Sequence, residues 1–128
     1  MTPIYCTADQ LSKLFRVDYS TMLDILHKDA ELDPEIKKLN RYLLSKVVQL
    51  HKTTVDPMEI DLATQFVNLY EVQEILNAEL GPMVYSTVLR KAAKGEIPAL
   101  KFGDTYRVPV NALFNRLQNA AISYNRKK

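Results

Sequence analysis

Apolar residues recur at helical spacing after two related polar segments, residues 7–10 and 68–71. In each segment the first side chain can accept a hydrogen bond from the backbone N–H three residues later, and the fourth side chain can reach back, which is a capping box. The apolar residues that follow occupy the same three offsets in both places: Leu11, Leu14 and Phe15, then Val72, Ile75 and Leu76. The pattern predicts that an amphipathic helix begins at each segment.

Two further pairs of segments match in the same order. Residues 19–23 resemble residues 85–89, and residues 41–44 resemble residues 105–108. Three ordered matches indicate an internal duplication, with about five extra residues between the first two helices of the second copy. The chain is therefore expected to contain two copies of one small module, although its length alone suggests a single domain.

The second copy has the clearer sequence of elements. It predicts a helix, a second helix, a hairpin and a closing helix, at about 69–80, 84–94, 97–108 and 110–118. Gly81 followed by Pro82 ends the first of these helices, and Gly103 lies in the turn of the hairpin.

The first copy leaves one alternative open. Residues 33–51 can form one long helix with a continuous apolar stripe, or a hairpin wing followed by a closing helix. The wing is favoured because residues 41–46 resemble the exit of the second hairpin. Between the copies, Asp56 before Pro57 is a strong helix start, and it predicts a helical connector with an apolar stripe.

The predicted fold class is mainly α with small β-hairpin wings. The predicted segments are a first domain, a helical connector, a second domain and a basic tail, at 1–55, 56–67, 68–119 and 120–128. Apolar residues make up 47% of the chain and the net charge is +2, which favours a globular protein over a disordered one. The single cysteine, Cys6, cannot form an internal disulfide.

The charge is distributed unevenly between the two copies. Residues 1–66 hold 8 Lys or Arg and 10 Asp or Glu, whereas residues 67–128 hold 9 and 5. A basic segment attracts polyanions, so the second copy is the better candidate for contact with nucleic acid. No apolar run approaches the roughly 20 residues that span a membrane, and no signal peptide is evident. The expected location is therefore cytoplasmic, and associated with the nucleoid if the protein binds DNA.

Several segments of the second copy resemble the excisionase-type, MerR-related winged helix-turn-helix domain. They are Ser-Thr-Val-Leu-Arg at 86–90, Lys-Gly-Glu-Ile-Pro-Ala at 94–99, Lys-Phe-Gly at 101–103 and Tyr-Arg-Val-Pro at 106–109. The resemblance covers about 69–118, and the first copy is similar over 7–29. It implies tandem winged helix-turn-helix domains that place a second helix in the DNA major groove and a hairpin wing near the backbone or minor groove.

Candidate DNA-binding residues follow from this arrangement and from their chemistry. On the second helix of the second copy, Arg90 is suited to a bidentate contact with guanine, and Lys91 and Lys94 to phosphates. The remaining candidates of this copy are Tyr85, Ser86 and Thr87 at the helix start and Lys101, Thr105 and Arg107 on the wing. The candidates of the first copy are Tyr19, Ser20, Thr21, Lys28 and Arg41.

Other interpretations compete at some of these positions. Ser86 and Thr87 can simply cap a helix, and Tyr85 and Tyr106 can belong to the core, which is the favoured interpretation of Tyr106. Asp104 puts an acid at the tip of the second wing. The first copy carries three acids on or beside its second helix, namely Asp18, Asp24 and Asp29. Carboxylates repel phosphates, so the first copy is expected to bind DNA poorly or to serve as a packing domain.

The sequence contains no pattern typical of catalysis. Two histidines and one cysteine are too few for a structural zinc site, and no phosphate-binding loop or nucleophile elbow is present. We therefore expect no enzyme activity, no cofactor and no metal. The predicted function is sequence-specific binding of double-stranded DNA, as an excisionase-like regulator of transcription or recombination in a phage or mobile element. The alternative is a protein–protein adaptor that keeps the fold without binding DNA. Self-association or a partner protein from the same element is compatible with both.

Overall fold

The computed structural model describes residues 3–119, where it has a mixed α/β fold with six α-helices and two small antiparallel sheets. The elements of the first repeat are β1 (Tyr5–Cys6), α1 (Ala8–Phe15), α2 (Tyr19–Leu32), β2 (Lys37–Lys38), β3 (Arg41–Leu43) and α3 (Leu44–His51). Those of the second repeat are β4 (Phe66–Val67), α4 (Leu69–Leu80), α5 (Tyr85–Ala93), β5 (Leu100–Phe102), β6 (Thr105–Pro109) and α6 (Val110–Gln118). The predicted tail at 120–128 lies outside the described residues.

The two repeats share their strand pairing as well as their element order. The strand orders are β1-β3-β2 and β4-β6-β5, so that in each repeat the strand before the first helix pairs with the second strand of the hairpin. Lys38 pairs with Arg41 in the first hairpin, and Phe102 pairs with Thr105 in the second. Each hairpin is therefore closed by a turn of two residues at the same place. The sequence repeat corresponds to a structural repeat, in which each hairpin belongs to a three-stranded sheet.

Both predicted capping boxes begin a helix. The Gln10 backbone N–H donates to Thr7 Oγ1 at 3.1 Å, and the Thr7 N–H donates to Gln10 Oε1 at 2.8 Å. The corresponding distances between Asn68 and Glu71 are 2.8 and 2.9 Å. In the first repeat a hairpin followed by α3 replaces the alternative of one long helix over 33–51.

The prediction of a helical connector over 56–67 is wrong. Only a single 3-10 turn, Pro57–Glu59, follows Asp56, and the segment ends as strand β4. The carboxylate of Asp61 accepts hydrogen bonds from the Ala63 N–H and the Thr64 hydroxyl, which holds a local turn in place of a helix. Pairing of β4 with β6 then keeps the chain extended.

The hairpin of the second repeat packs into the core of the first. Phe66 and Phe102 are buried in the same apolar cluster as Phe15, and their ring centroids lie 5.1 and 4.9 Å from that of Phe15. A second cluster lies within the second repeat and includes Val88 and Leu113. The division of the chain at residues 55 and 68 thus describes the repeat in the sequence, but it cuts through a shared core.

A histidine–aspartate pair adds polar contacts at this junction. Nε2 of His51 lies 2.7 Å from Oδ2 of Asp29, and Nδ1 lies 3.2 Å from the carbonyl oxygen of Lys101. The imidazole also packs against the ring of Phe102, with a centroid distance of 4.8 Å. Asp29 is only 4% exposed, so it does not contribute to the surface repulsion of phosphates expected from the three acids on or beside α2. The interior provides it with a partner because a buried carboxylate without one is costly.

Candidate nucleic-acid interface

The start of α5 presents polar side chains that are not used for capping. Val84 occupies the N-cap position and makes no side-chain capping bond. Ser86 is exposed, Thr87 is partly exposed, and neither hydroxyl has a hydrogen-bond partner within residues 3–119. The capping interpretation of these two residues is therefore wrong, and their hydroxyls remain available to a ligand.

Arg90 and Lys94 lie on the same exposed face of α5 as Ser86. The three residues follow one another at intervals of four, which places them in a row along one side of the helix and its C-cap. Arg90 and Lys94 are both exposed, and neither forms an ion pair within the described part of the chain. Their positive charge is thus directed to solvent rather than to a neighbouring carboxylate.

Lys91 does not belong to this row. It is 8% exposed, and its Nζ donates to Oε1 of Glu96 at 3.2 Å. One residue on from Arg90 the helix has turned by about 100°, which carries Lys91 from the exposed face towards the interior. The prediction that Lys91 contacts phosphate is therefore wrong, because its charge already has a partner.

Arg107 is also occupied within the protein. Its Nε donates to the carbonyl oxygen of Phe15 at 3.0 Å, and its Nη2 donates to that of Arg16 at 2.9 Å. Its Nη1 donates to the carbonyl oxygen of Tyr106 at 2.9 Å. Burial lowers the pKa of Arg107, and the nearby Arg16 lowers it further, whereas Glu71 opposes both. The guanidinium thus caps the C-terminal end of α1, where backbone carbonyls lack helical partners, and its donors are used within the fold instead of remaining free for the DNA contact that the sequence predicts.

The second wing retains little positive charge once Arg107 is assigned to the fold. Lys101 is exposed, with its Nζ 5.5 Å from the centroid of the half-buried Tyr106 ring. Thr105 is half-buried, and Asp104 is exposed at the tip. Tyr106 packs against the second core, as the sequence favours. Only Lys101 offers a charge that attracts phosphate on this wing.

A stacked tyrosine pair flanks the beginning of α5. The rings of Tyr70 and Tyr85 lie 4.4 Å apart at an interplanar angle of 16°. Tyr85 packs against the second core, and Tyr70 remains 65% exposed. The sequence does not identify Tyr70 as a candidate site residue, because a tyrosine just after a helix N-cap has no pattern that distinguishes it from other surface residues. The pair therefore leaves the side chain of Tyr70 largely exposed at the N-terminal end of α5.

In the first repeat, the start of α2 is engaged in its own cap. Asp18 accepts hydrogen bonds from the Ser20 hydroxyl at 2.7 Å and from the Thr21 backbone N–H at 3.2 Å. These bonds lower the pKa of Asp18. Ser20 and Thr21 are exposed but serve the capping carboxylate, whereas Tyr19 and Lys28 are exposed without such a role.

The first hairpin is more basic than the second. Lys37, Lys38 and Arg41 are exposed, and none forms an ion pair within residues 3–119. The sequence identified Arg41 alone, although residues 36–55 contain no Asp or Glu and so gave the signal for a basic wing. The side chains of Lys37 and Asn40 line the same surface depression as Tyr19 and His27, so this wing lies beside α2.

Most lysines and arginines of residues 3–119 fall into two groups, and the half-buried Lys52 after α3 belongs to neither. Those of α1, α3 and α6 have partners, as do Lys91 and Arg107, and the partners are carboxylates or backbone carbonyls. The exposed lysines and arginines without an acidic partner in the described region all lie on the second helix or the hairpin of a repeat: Lys28, Lys37, Lys38, Arg41, Arg90, Lys94 and Lys101. Asp24, Glu31 and Asp104 are exposed on these same elements and reduce the positive field locally.

Residues 3–119 contain no cluster of three or more side chains able to hold a metal ion. Within the same residues, no helix is both long and apolar enough to cross a membrane. Comparisons with protein-family models, with curated proteins and with solved structures gave no match.

Proposed function

We propose that the protein binds double-stranded DNA in a sequence-specific manner through two winged helix-turn-helix repeats. The observation that carries the proposal is the placement of the exposed cations that have no acidic partner within residues 3–119. They lie on the second helix and the hairpin of each repeat, which are the elements that meet DNA in this architecture. The described cations of α1, α3 and α6 instead contact carboxylates or backbone carbonyls of the protein itself.

The exposed row of Ser86, Arg90 and Lys94 supports insertion of α5 into the major groove of DNA. Arg90 can reach O6 and N7 of guanine with its two parallel donors, and Lys94 at the end of the helix can neutralise a phosphate. Ser86 at the helix start adds a hydroxyl for a base edge or the backbone. The stacked rings of Tyr70 and Tyr85 lie at the N-terminal end of this helix.

The shared core bears on how two repeats would use one duplex. Phe15, Phe66 and Phe102 pack across the repeats, so the two units are not joined by a loose tether. A rigid pair of binding units acts as a built-in dimer, and its half-sites are expected about one helical turn apart, ~10 bp, or a multiple of this. The resemblance to excisionase-type domains favours regulation of transcription or recombination in a phage or mobile element.

Selection from a random duplex library tests the proposal and returns the site. On the selected site, Arg90→Ala is expected to weaken binding by ~1–3 kcal/mol and to relax the preference at one base pair. Lys94→Ala is expected to weaken all sequences alike and to reduce the salt dependence. Lys13→Ala is the matched control, since it removes one exposed positive charge from α1, where Lys13 pairs with Asp9 at 3.2 Å.

If no duplex is enriched, or if Lys13→Ala and Arg90→Ala weaken binding equally, the proposed interface is wrong. The adaptor function then becomes the better hypothesis, and the exposed acids Asp24 and Glu31 on α2 are the observation that favours it. An adaptor would retain a protein partner in the Arg90→Ala variant and lose it when both acids are replaced by Asn and Gln.

A further inference from the structure

The tip of the first hairpin holds a leucine in an unusual conformation. Leu39 has a φ of 58°, in the left-handed region that glycine occupies at little cost and a bulky side chain rarely adopts. Its side chain is 87% exposed, so no packing within the protein offsets the strain. The turn consists of Leu39 and Asn40, between the paired residues Lys38 and Arg41.

In the second repeat, a glycine occupies the position that corresponds to Leu39. The hairpin of this repeat also closes with two residues, and the first of them is Gly103, with a φ of 63°. The space where a Cβ of Gly103 would lie is empty within 4 Å, so the positive φ, not a neighbouring atom, is what favours glycine there. Glycine is the residue that two-residue hairpin turns favour where φ is positive. Leu39 is therefore both strained and exposed at a position where this same chain uses glycine, and strain of this kind is characteristic of functional sites.

The surroundings of Leu39 indicate the kind of partner that accepts it. Lys37, Lys38 and Arg41 flank the tip and have no acidic partner within residues 3–119. The nearest acid along the chain, Glu35, already lies 3.7 Å from Lys46. An apolar tip bordered by cations matches a polyanion that can admit an apolar side chain. Duplex DNA has both properties, because phosphates line its minor groove and a base step can open to admit a leucine.

We propose that the first hairpin enters the minor groove and that Leu39 acts as a wedge between two stacked base pairs, while Lys37, Lys38 and Arg41 contact the flanking phosphates. The inference rests on the proposed function and deepens it, because it assigns a DNA-deforming role to the repeat with the lower net charge. A wedge of this kind bends the duplex towards the major groove and favours flexible steps such as TA and CA/TG.

The decisive variant is Leu39→Gly, because glycine suits the turn. Its melting temperature is expected to equal or exceed that of the wild type, while its affinity for the selected duplex falls by roughly tenfold to a hundredfold, as expected for the loss of one buried leucine side chain. DNA bending, measured by the gel mobility of circularly permuted fragments, should decrease with it. Leu39→Ala should also lose affinity and bending. The matched control is Leu32→Ala, which removes another leucine that is 79% exposed and should leave DNA binding unchanged.

The outcomes separate the wedge from the proposed function. If Leu39→Gly and the wild type bind and bend the selected duplex equally, the wedge is refuted while DNA binding stands. If the wild type binds no duplex, both proposals fail together. Leu39-dependent binding to vesicles of phosphatidylcholine and phosphatidylserine without such an effect on DNA would assign the tip to a membrane surface. A dimer that dissociates on Leu39→Gly would assign it to self-association, and either result overturns the inference.

Discussion

Replacing Arg107 by alanine tests whether this residue serves the fold or the DNA. The side chain joins the hairpin of the second repeat to the end of α1 through the carbonyl oxygens of Phe15 and Arg16, at 3.0 and 2.9 Å. Alanine removes both bonds and leaves those carbonyls without a protein donor. Arg107 belongs to the second repeat and α1 to the first, so the substitution weakens the contact between the two repeats.

The magnitude follows from the number and exposure of these bonds. A hydrogen bond from a charged donor contributes about 1.5–3 kcal/mol when well buried. The Arg107 guanidinium is only partly buried, so we reduce this to about 1 kcal/mol each and expect a total loss of about 2 kcal/mol for the two bonds. For a chain of this size, that lowers the melting temperature by about 6–9 °C. Arg107→Lys should recover only part of the loss, since an ammonium group cannot replace the planar fork.

Thermal and urea unfolding followed by circular dichroism measure the loss of stability. DNA affinity is then compared at a temperature where both proteins are folded, and Arg107→Ala should lie within about twofold of the wild type. Arg90→Ala is the reciprocal control, with lower affinity and an unchanged melting temperature. If Arg107→Ala retains full stability and loses DNA affinity, the hydrogen bonds to α1 are unimportant and the residue belongs to the DNA contact after all.

Three further predictions concern the same junction. Phe102→Ala should destabilise the chain by about 3–5 kcal/mol, measured by urea unfolding, because this ring is 2% exposed and packs across the repeats; a loss below 1 kcal/mol would contradict the shared core. The backbone N–H of Asn68 and, second to it, Arg16 hold the pKa of Glu71 below its ordinary value of 4.5. The stability that Glu71 adds is therefore complete above that value and lost as pH falls through the lower folded pKa, and Glu71→Gln should flatten the stability profile between roughly pH 5 and 3. The fragment 1–55 should show no cooperative unfolding transition by calorimetry, since it lacks the phenylalanines of the second repeat; a sharp transition would show that the first repeat folds alone.

Local signals along the chain predicted the order of elements well. The capping boxes at Thr7 and Asn68 depend on residues three positions apart, so the sequence alone predicts their geometry. The prediction of a helical connector is wrong because the conformation of that segment depends on contacts with residues distant in sequence. Asp56 and Pro57 do begin a turn, but the pairing of β4 with β6 joins segments that are distant in sequence, and this pairing decides the conformation of the second half of the connector. Two-residue strands such as β1 and β4 leave no periodic pattern that could predict them.

The candidate site was predicted less well, because the availability of a charge is a tertiary property. Arg90 and Lys91 are adjacent in sequence, yet the first points to solvent and the second to Glu96. Arg107 has the residue type and position expected of a wing contact, but its partners lie on α1. The charge total of residues 1–66 combines Lys37 and Lys38 with ten acids, so it does not reveal the basic first hairpin.

The same distinction revises the relation between the two repeats. By formal charge the first 66 residues are the acidic half of the chain. The fold, however, uses many of those acids internally: Asp9 pairs with Lys13, Asp18 caps α2, Asp29 contacts His51, and Asp33 pairs with Lys46. The second repeat instead uses three of its cations internally, namely Lys91, Arg107 and Arg116. Consequently four of the seven exposed cations without an acidic partner in residues 3–119 belong to the first repeat and three to the second. The exposed acids Asp24 and Glu31 on α2 and Asp104 on the second hairpin leave a net charge of about +2 on these elements of each repeat. A polyanion responds to the charge that the surface presents, so under the proposed function both repeats are expected to contact DNA.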